Sequence, residues 1–135
     1  MTLVDAGPLI ALANPRDPDH QACVAAARRI PPPLVTTWAA YTETMYAVYK
    51  VLGWPGRSSL MQLVLNGMLA IHQIEPTSMP RLLELMEQYR DRPMDLADAT
   101  LVVLAEIHGF TRILSLDSDF YIYRLANGRS LEVIP

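Results

Sequence analysis

Apolar and polar positions alternate between two rhythms along this chain, and the switches between them mark its elements. Leu3-Val4 is a short apolar pair running into Asp5-Ala6-Gly7-Pro8, which predicts a buried strand ending in a turn. Leu9 to Ala13 predicts a brief helix broken at Pro15, and Asp17-Pro18 predicts a helix start, with Asp17 as cap, running to about Ile30. After Pro31-Pro32-Pro33, the β-branched run Leu34 to Thr37 predicts a second strand. Helices are expected from about Trp38 to Leu52, stopped by Gly53 and Pro55, and from about Arg57 to Asn66. Met68 to Ile74 alternates as a third strand would. Thr77 or Ser78 is expected to cap a helix with Pro80 in its first turn, ended by Asp91-Arg92-Pro93. Asp95 then caps a helix to about His108, closed by Gly109 and apolar on nearly every side. Arg112 to Leu116 predicts a fourth strand and Leu131 to Ile134 a short fifth.

Short apolar strands alternating with helices imply a parallel sheet covered on both faces. The expected fold class is therefore α/β, a three-layer α/β/α sandwich around about five short parallel strands, formed as one domain over residues 1–135. In such sheets ligands bind beyond the carboxyl ends of the strands. Asp5 and Asp117 both fall at such ends.

Composition narrows the chemistry. With 51% apolar and 19% charged residues the chain reads as a globular domain, and no apolar stretch approaches the ~20 residues of a membrane span. There is no secretory signal at the N-terminus, so a cytoplasmic location is expected. Cys23 is the only cysteine, which leaves no internal disulfide and no thiolate metal cluster; in its alanine-rich setting it reads as a small buried hydrophobe. A net charge of −3 argues against a broad basic surface for nucleic acid. Lys50 is the only lysine, which counts against chemistries that need one in the active site.

The acids carry the strongest chemical signal. Asp5 could merely cap its turn. Glu43, however, has Ala39, Ala40 and Ala47 as helical neighbours, a face of small residues suited to close packing. Asp95-x-x-Asp98 resembles a capping box, and Asp95 is read mainly as that cap. Asp98 instead shares a stripe with Leu101, Val102 and Ala105, so the helix turns it towards apolar surroundings, where a carboxylate needs a partner. Asp117 and Asp119 follow the fourth strand, where two solvated turn acids would be the plain structural reading. If the first and fourth strands are neighbours, three or four carboxylates converge with no lysine nearby, a cluster that calls for a cation. Oxygen ligands alone suit Mg²⁺ or Mn²⁺ better than zinc, and such ions activate water and orient phosphodiesters.

Four blocks in order resemble the PIN-domain nucleases, particularly the VapC-type toxins of bacterial toxin–antitoxin pairs. They are Leu3 to Leu12 with Asp5, Thr36-Thr37 followed by Glu43, Asp91 through Pro93-Met94-Asp95-Leu96-Ala97-Asp98-Ala99, and Ile113 to Phe120 with Asp117; the closing Leu131 to Pro135 is also similar. The resemblance implies an Mg²⁺-dependent endoribonuclease, with Asp5, Glu43, Asp98 and Asp117 as catalytic metal ligands, Asp119 auxiliary, and Ser115 and Asp95 beside them. It also implies an RNA substrate, a cognate antitoxin whose peptide occupies the active-site groove, and a homodimer. Leu60, Leu63, Val64, Leu82, Leu85 and Met86 offer surface for such contacts, although residues of this kind are more often core. One departure stands out: Ala6-Gly7 replaces the Thr-Ser that many members carry after the first acid, a change beside the ligands rather than the loss of one.

Arg57, Arg92 and Arg124 are candidate RNA contacts. Trp38, Tyr41, Tyr46 and Tyr49 could stack on bases, but their helical spacing favours packing for most of them. His20, His72 and His108 show no ligand spacing, and His108 is expected near the last carbonyls of its helix. A phosphatase would need a second Asp where Gly7 stands, and both it and a receiver domain would want a late lysine that this chain lacks. Housekeeping RNA processing and an inactive PIN-fold binding module are the alternatives within the fold.

Overall fold

The computed structural model describes residues 1–134, so that Pro135, the last residue of the closing similarity, lies outside the described residues. Five parallel strands form one sheet in the order β3-β2-β1-β4-β5: β1 (Thr2–Val4), β2 (Leu34–Thr37), β3 (Leu69–His72), β4 (Arg112–Leu114) and β5 (Glu132–Ile134). Leu3 pairs with Val35 on one side and with Ile113 on the other, which makes β1 and β4 neighbours.

Strand geometry divides the core. Successive side chains point to opposite faces. Leu3, Val35 and Ile113 accordingly join one apolar cluster while Val4 and Leu114 join the other. The first is closed by α5 (Met79–Gln88) and α6 (Leu96–His108), the second by α1 (Ala6–Ala13), α2 (His20–Arg28), α3 (Trp38–Leu52) and α4 (Trp54–Leu65). Every residue from Ala97 to Ala105 is buried, as the all-round apolarity of α6 requires of a helix sandwiched between layers. The three-layer α/β/α arrangement expected from the sequence is the one observed.

Several element boundaries differ from the sequence expectation. The Ala6-Gly7-Pro8 turn is instead the first turn of α1, because the Asp5 carboxylate accepts the Ala6 N–H at 2.8 Å and caps it. Asp17 does not cap α2. Its carboxylate accepts the Asp19 N–H at 2.9 Å and its carbonyl the His20 N–H at 3.0 Å, a turn that delays the helix to His20. Pro55 does not stop α3; Gly53 does so at φ 65°, and Pro55 lies in the first turn of α4. Gly56 then lets α4 approach α3 closely, since a Cβ there would overlap the Val48 side chain. Neither Thr77 nor Ser78 caps α5 through its side chain, because the 3₁₀ turn Pro76–Ser78 leads into it.

Exposure also corrects the expected contact surface. Leu60, Leu82 and Leu85 are core, and Leu63, Val64 and Met86 are packed against it. The sequence predicts packing for most of the four aromatic residues Trp38, Tyr41, Tyr46 and Tyr49, but only Tyr41 is buried and the other three are exposed. His108 stacks on Phe110 at 5.4 Å beside His72, with no hydrogen bond to its helix carbonyls among the described residues.

Candidate active site at the carboxyl ends of the strands

The β1–β4 pairing brings two strand ends together. Asp5 follows β1, and Asp117 follows β4 by three residues. Asp98, in the first turn of α6, reaches the same point, so that one carboxylate oxygen from each of Asp5, Asp98 and Asp117 lies within 4.8 Å of the others. They line a cleft of about 300 Å³ together with Ala6, Gly7, Glu43, Asp95 and Leu116.

Local structure explains how each acid is held. Asp5 uses one oxygen to cap α1 and the other to accept the Ser115 O–H at 3.1 Å. The Ser115 oxygen in turn accepts the Asp117 N–H at 3.0 Å, so this one buried serine ties the Asp5 carboxylate to the backbone of Asp117. Asp117 caps the short 3₁₀ turn Ser118–Tyr121 through the Asp119 N–H at 2.9 Å. At the start of α6 only half a capping box forms: Asp95 accepts the Asp98 N–H at 2.8 Å, and the Asp98 carboxylate turns away to accept the Tyr123 O–H at 3.1 Å.

Glu43 lines the cleft from α3 but is exposed, so its small neighbours Ala39, Ala40 and Ala47 do not bury it, and it stands outside the tight trio. Asp119 stands apart as well, paired with Arg92 at 3.2 Å. None of the three candidate arginines lines the cleft. Arg57 lies over the Tyr49 ring at 3.9 Å, and Arg124 donates to the carbonyls of Tyr121, Ile122 and Tyr123. Tyr123 is the site residue that sequence reasoning missed. It is buried against Phe120 and Tyr89 on the segment after the 3₁₀ turn, and no spacing relative to Asp98 announces the contact.

The electrostatics follow from burial without a counterion. Desolvation raises the Asp5 carboxyl to about 6 against the opposing Ala6 and Ser115 hydrogen bonds, with Asp117 and Glu43 adding repulsion. Asp98 is raised to about 8, first by burial and then by the charges of Asp5 and Asp95, while the Tyr123 hydrogen bond acts in the opposite sense. Partial desolvation at the cleft and then the Asp95 charge raise Glu43. Burial and the Asp98 charge push the Tyr123 hydroxyl far up, so it remains a donor. An oxygen-only site in which burial and mutual repulsion penalise the charged forms of Asp5 and Asp98 suits a hard divalent cation.

Comparison with known proteins agrees with this architecture. The model of the PIN domain family matches residues 2–125. The crystal structure of Mycobacterium tuberculosis VapC20, described as a sarcin–ricin loop cleaving toxin, superposes with a TM-score of 0.82 at 18% identity, covering 90% of this chain and 94% of that one. At that identity the likeness is one of fold. No curated protein matches by sequence. A family match spanning nearly the whole chain, on a fold that gathers Asp5, Asp98 and Asp117 at the ends of adjacent parallel strands, means that this protein belongs to the PIN domain family.

Proposed function

We propose that the protein is a Mg²⁺-dependent endoribonuclease, with Mn²⁺ able to substitute, and that it acts as the toxin of a toxin–antitoxin pair. The observation that carries this reading is the trio Asp5, Asp98 and Asp117, three carboxylates in mutual reach with no basic side chain among the groups lining their cleft. Their donor set fits a divalent cation, which Asp5, Asp98 and Asp117 would hold, with Glu43 lining the same cleft. When bound, such an ion lowers the pKa of an attacking water and neutralises charge on the phosphodiester.

The chain's own groups orient that chemistry. Ser115 sets Asp5 and Asp117 against each other, and Tyr123 fixes the rotation of Asp98. Glu43, exposed at the rim, is the acid free to contact water or a leaving group. Ala6 and Gly7, at the start of α1, line the cleft with small residues. An RNA substrate and a cognate antitoxin are part of the proposal, supported by the family and by the toxin VapC20 sharing the fold, and a homodimer is proposed alongside them. No described helix is long and apolar enough to cross a membrane.

The test is cleavage of single-stranded and looped RNA with Mg²⁺, with Mn²⁺, and with excess EDTA. Cleavage with either ion and none in chelator is expected; full activity in EDTA would refute the metal role. Induced expression should arrest growth in cells, and the Asp98→Asn protein should not.

A further inference from the structure

A second cavity opens at the same edge of the sheet. It has a volume of about 390 Å³, lies beyond the carboxyl ends of β2 and β3, and is lined by Thr37, Trp38, Ala39, Gln73, Ile74 and Thr100. Two of its walls are the helices that carry the acids. Thr37 caps α3, on which Glu43 stands six residues further along, about 9 Å of helix. Thr100 lies two residues beyond Asp98 on α6. Because β2 neighbours β1, this cavity and the acid cleft open beyond adjacent strands of the same sheet edge.

We propose that it is a nucleobase subsite, in which Trp38 stacks on an unpaired base of the RNA and Gln73 reads that base's edge. This deepens the RNA-cleaving reading above and rests on it. No charged side chain lines the cavity, which suits a neutral planar group and not a phosphate. Its floor is already satisfied: Thr100 donates to the Ala97 carbonyl at 2.7 Å, which makes Thr37 the donor in the 2.8 Å bond between the two hydroxyls. That bond ties α3 to α6 and leaves recognition to the mouth. There the Trp38 indole is 55% exposed, yet its orientation is set by an edge-to-face contact with buried Tyr41 at 6.1 Å and 86°. An exposed, oriented aromatic face is what base stacking needs. Gln73 is exposed beside it, its amide offering both a donor and an acceptor, and it makes no side-chain hydrogen bond among the described residues.

The subsite is tested by binding and by kinetics. In an Asp117→Asn, Trp54→Phe protein, Trp38 is the sole tryptophan and RNA stays intact during a titration. Oligoadenylate or oligouridylate with Mg²⁺ should quench Trp38 emission saturably. In the otherwise unaltered enzyme, Trp38→Ala should raise KM roughly tenfold, the loss of one stacked base, with kcat little changed. Trp38→Phe should recover most of that loss, and Gln73→Ala should alter the preference between the two oligonucleotides. An active enzyme with wild-type KM in Trp38→Ala, or RNA binding without quenching, overturns the subsite alone. Failure of the unaltered protein to cleave any RNA overturns the nuclease reading instead. A Trp38→Ala protein that changes oligomeric state in sedimentation, while Gln73→Ala keeps its base preference, makes this face a contact between copies and overturns the subsite as well.

Discussion

Asp98 and Glu106 stand eight residues apart on the same helix and meet opposite electrostatic surroundings. Glu106 receives a two-pronged Arg81 guanidinium, at 3.0 Å from Nε and 2.8 Å from Nη2, and accepts the Ala126 N–H at 2.6 Å. The pairing in turn holds Arg81 still more firmly in its charged form. Asp98 receives only the Tyr123 hydroxyl and faces Asp5 and Asp117. Two acids on one helix have thus been treated differently: Glu106 is neutralised by a guanidinium of the chain, whereas Asp98 has no basic partner among the described residues. A buried carboxylate that the fold declines to pair is a stronger sign of function than one engaged in an ion pair.

The sharpest way to break this contrast is to neutralise each acid in turn. Asp98→Asn preserves volume and leaves the Asp95 cap in place, so the helix should form and RNA cleavage should fall to background. Retained activity would return Asp98 to a structural role. Arg81→Ala attacks the other member of the comparison. It strands Glu106 and should cost about 3 kcal/mol in urea melts, the low end for buried pairs because both side chains keep some exposure. Activity per folded molecule and the stabilisation by Mg²⁺ should stay as they were.

Asp5→Asn should move stability in the opposite direction. The folded carboxyls of Asp5 and Asp98, raised from 3.8 to about 6 and about 8, bind protons more tightly than their unfolded counterparts. Their penalty is absent below about pH 4, grows as pH rises, and is complete above about 6 for Asp5 and 8 for Asp98. In EDTA the unaltered protein should therefore lose stability from pH 4 to 8. Asp5→Asn, which keeps the cap on α1, should lack the part between 4 and 6 and be more stable at neutral pH by on the order of 2–3 kcal/mol. It should also gain less from Mg²⁺ and cleave no RNA; equal stabilisation of both proteins by Mg²⁺ would remove Asp5 from the ligand set. The smallest effect is expected for Tyr123→Phe, which leaves Asp98 free to rotate. Mg²⁺ affinity measured by thermal shift should weaken roughly tenfold with the melting temperature in EDTA little changed, as for other groups that orient a metal ligand.

Much of this molecule is legible without coordinates, because periodicity and end signals are local. The β2 strand, the span of α3 and the Asp95-to-Gly109 limits of α6 follow from neighbouring residues alone, as does the burial of α6 on all sides. Asp5 and Asp117 could be named as candidates because each follows a strand, where the parallel-sheet rule puts ligands, and Asp98 because its helix turns it among Leu101, Val102 and Ala105. Where local signals compete, the reading failed. Asp17 and Asp19 both precede α2, and only the turn's hydrogen bonds decide that the helix waits for His20.

Tertiary structure alone decided whatever depends on side chains distant in sequence. Tyr123 meets Asp98, Ser115 meets Asp5 and Thr37 meets Thr100 across separations of 25, 110 and 63 residues, which no spacing encodes. The exposure of Trp38 and the burial of Leu60 have the same origin. An apolar side chain reports that it would gain by leaving water, but only the packing of α4 against α3, and the open edge beyond β2 and β3, determines which of them does.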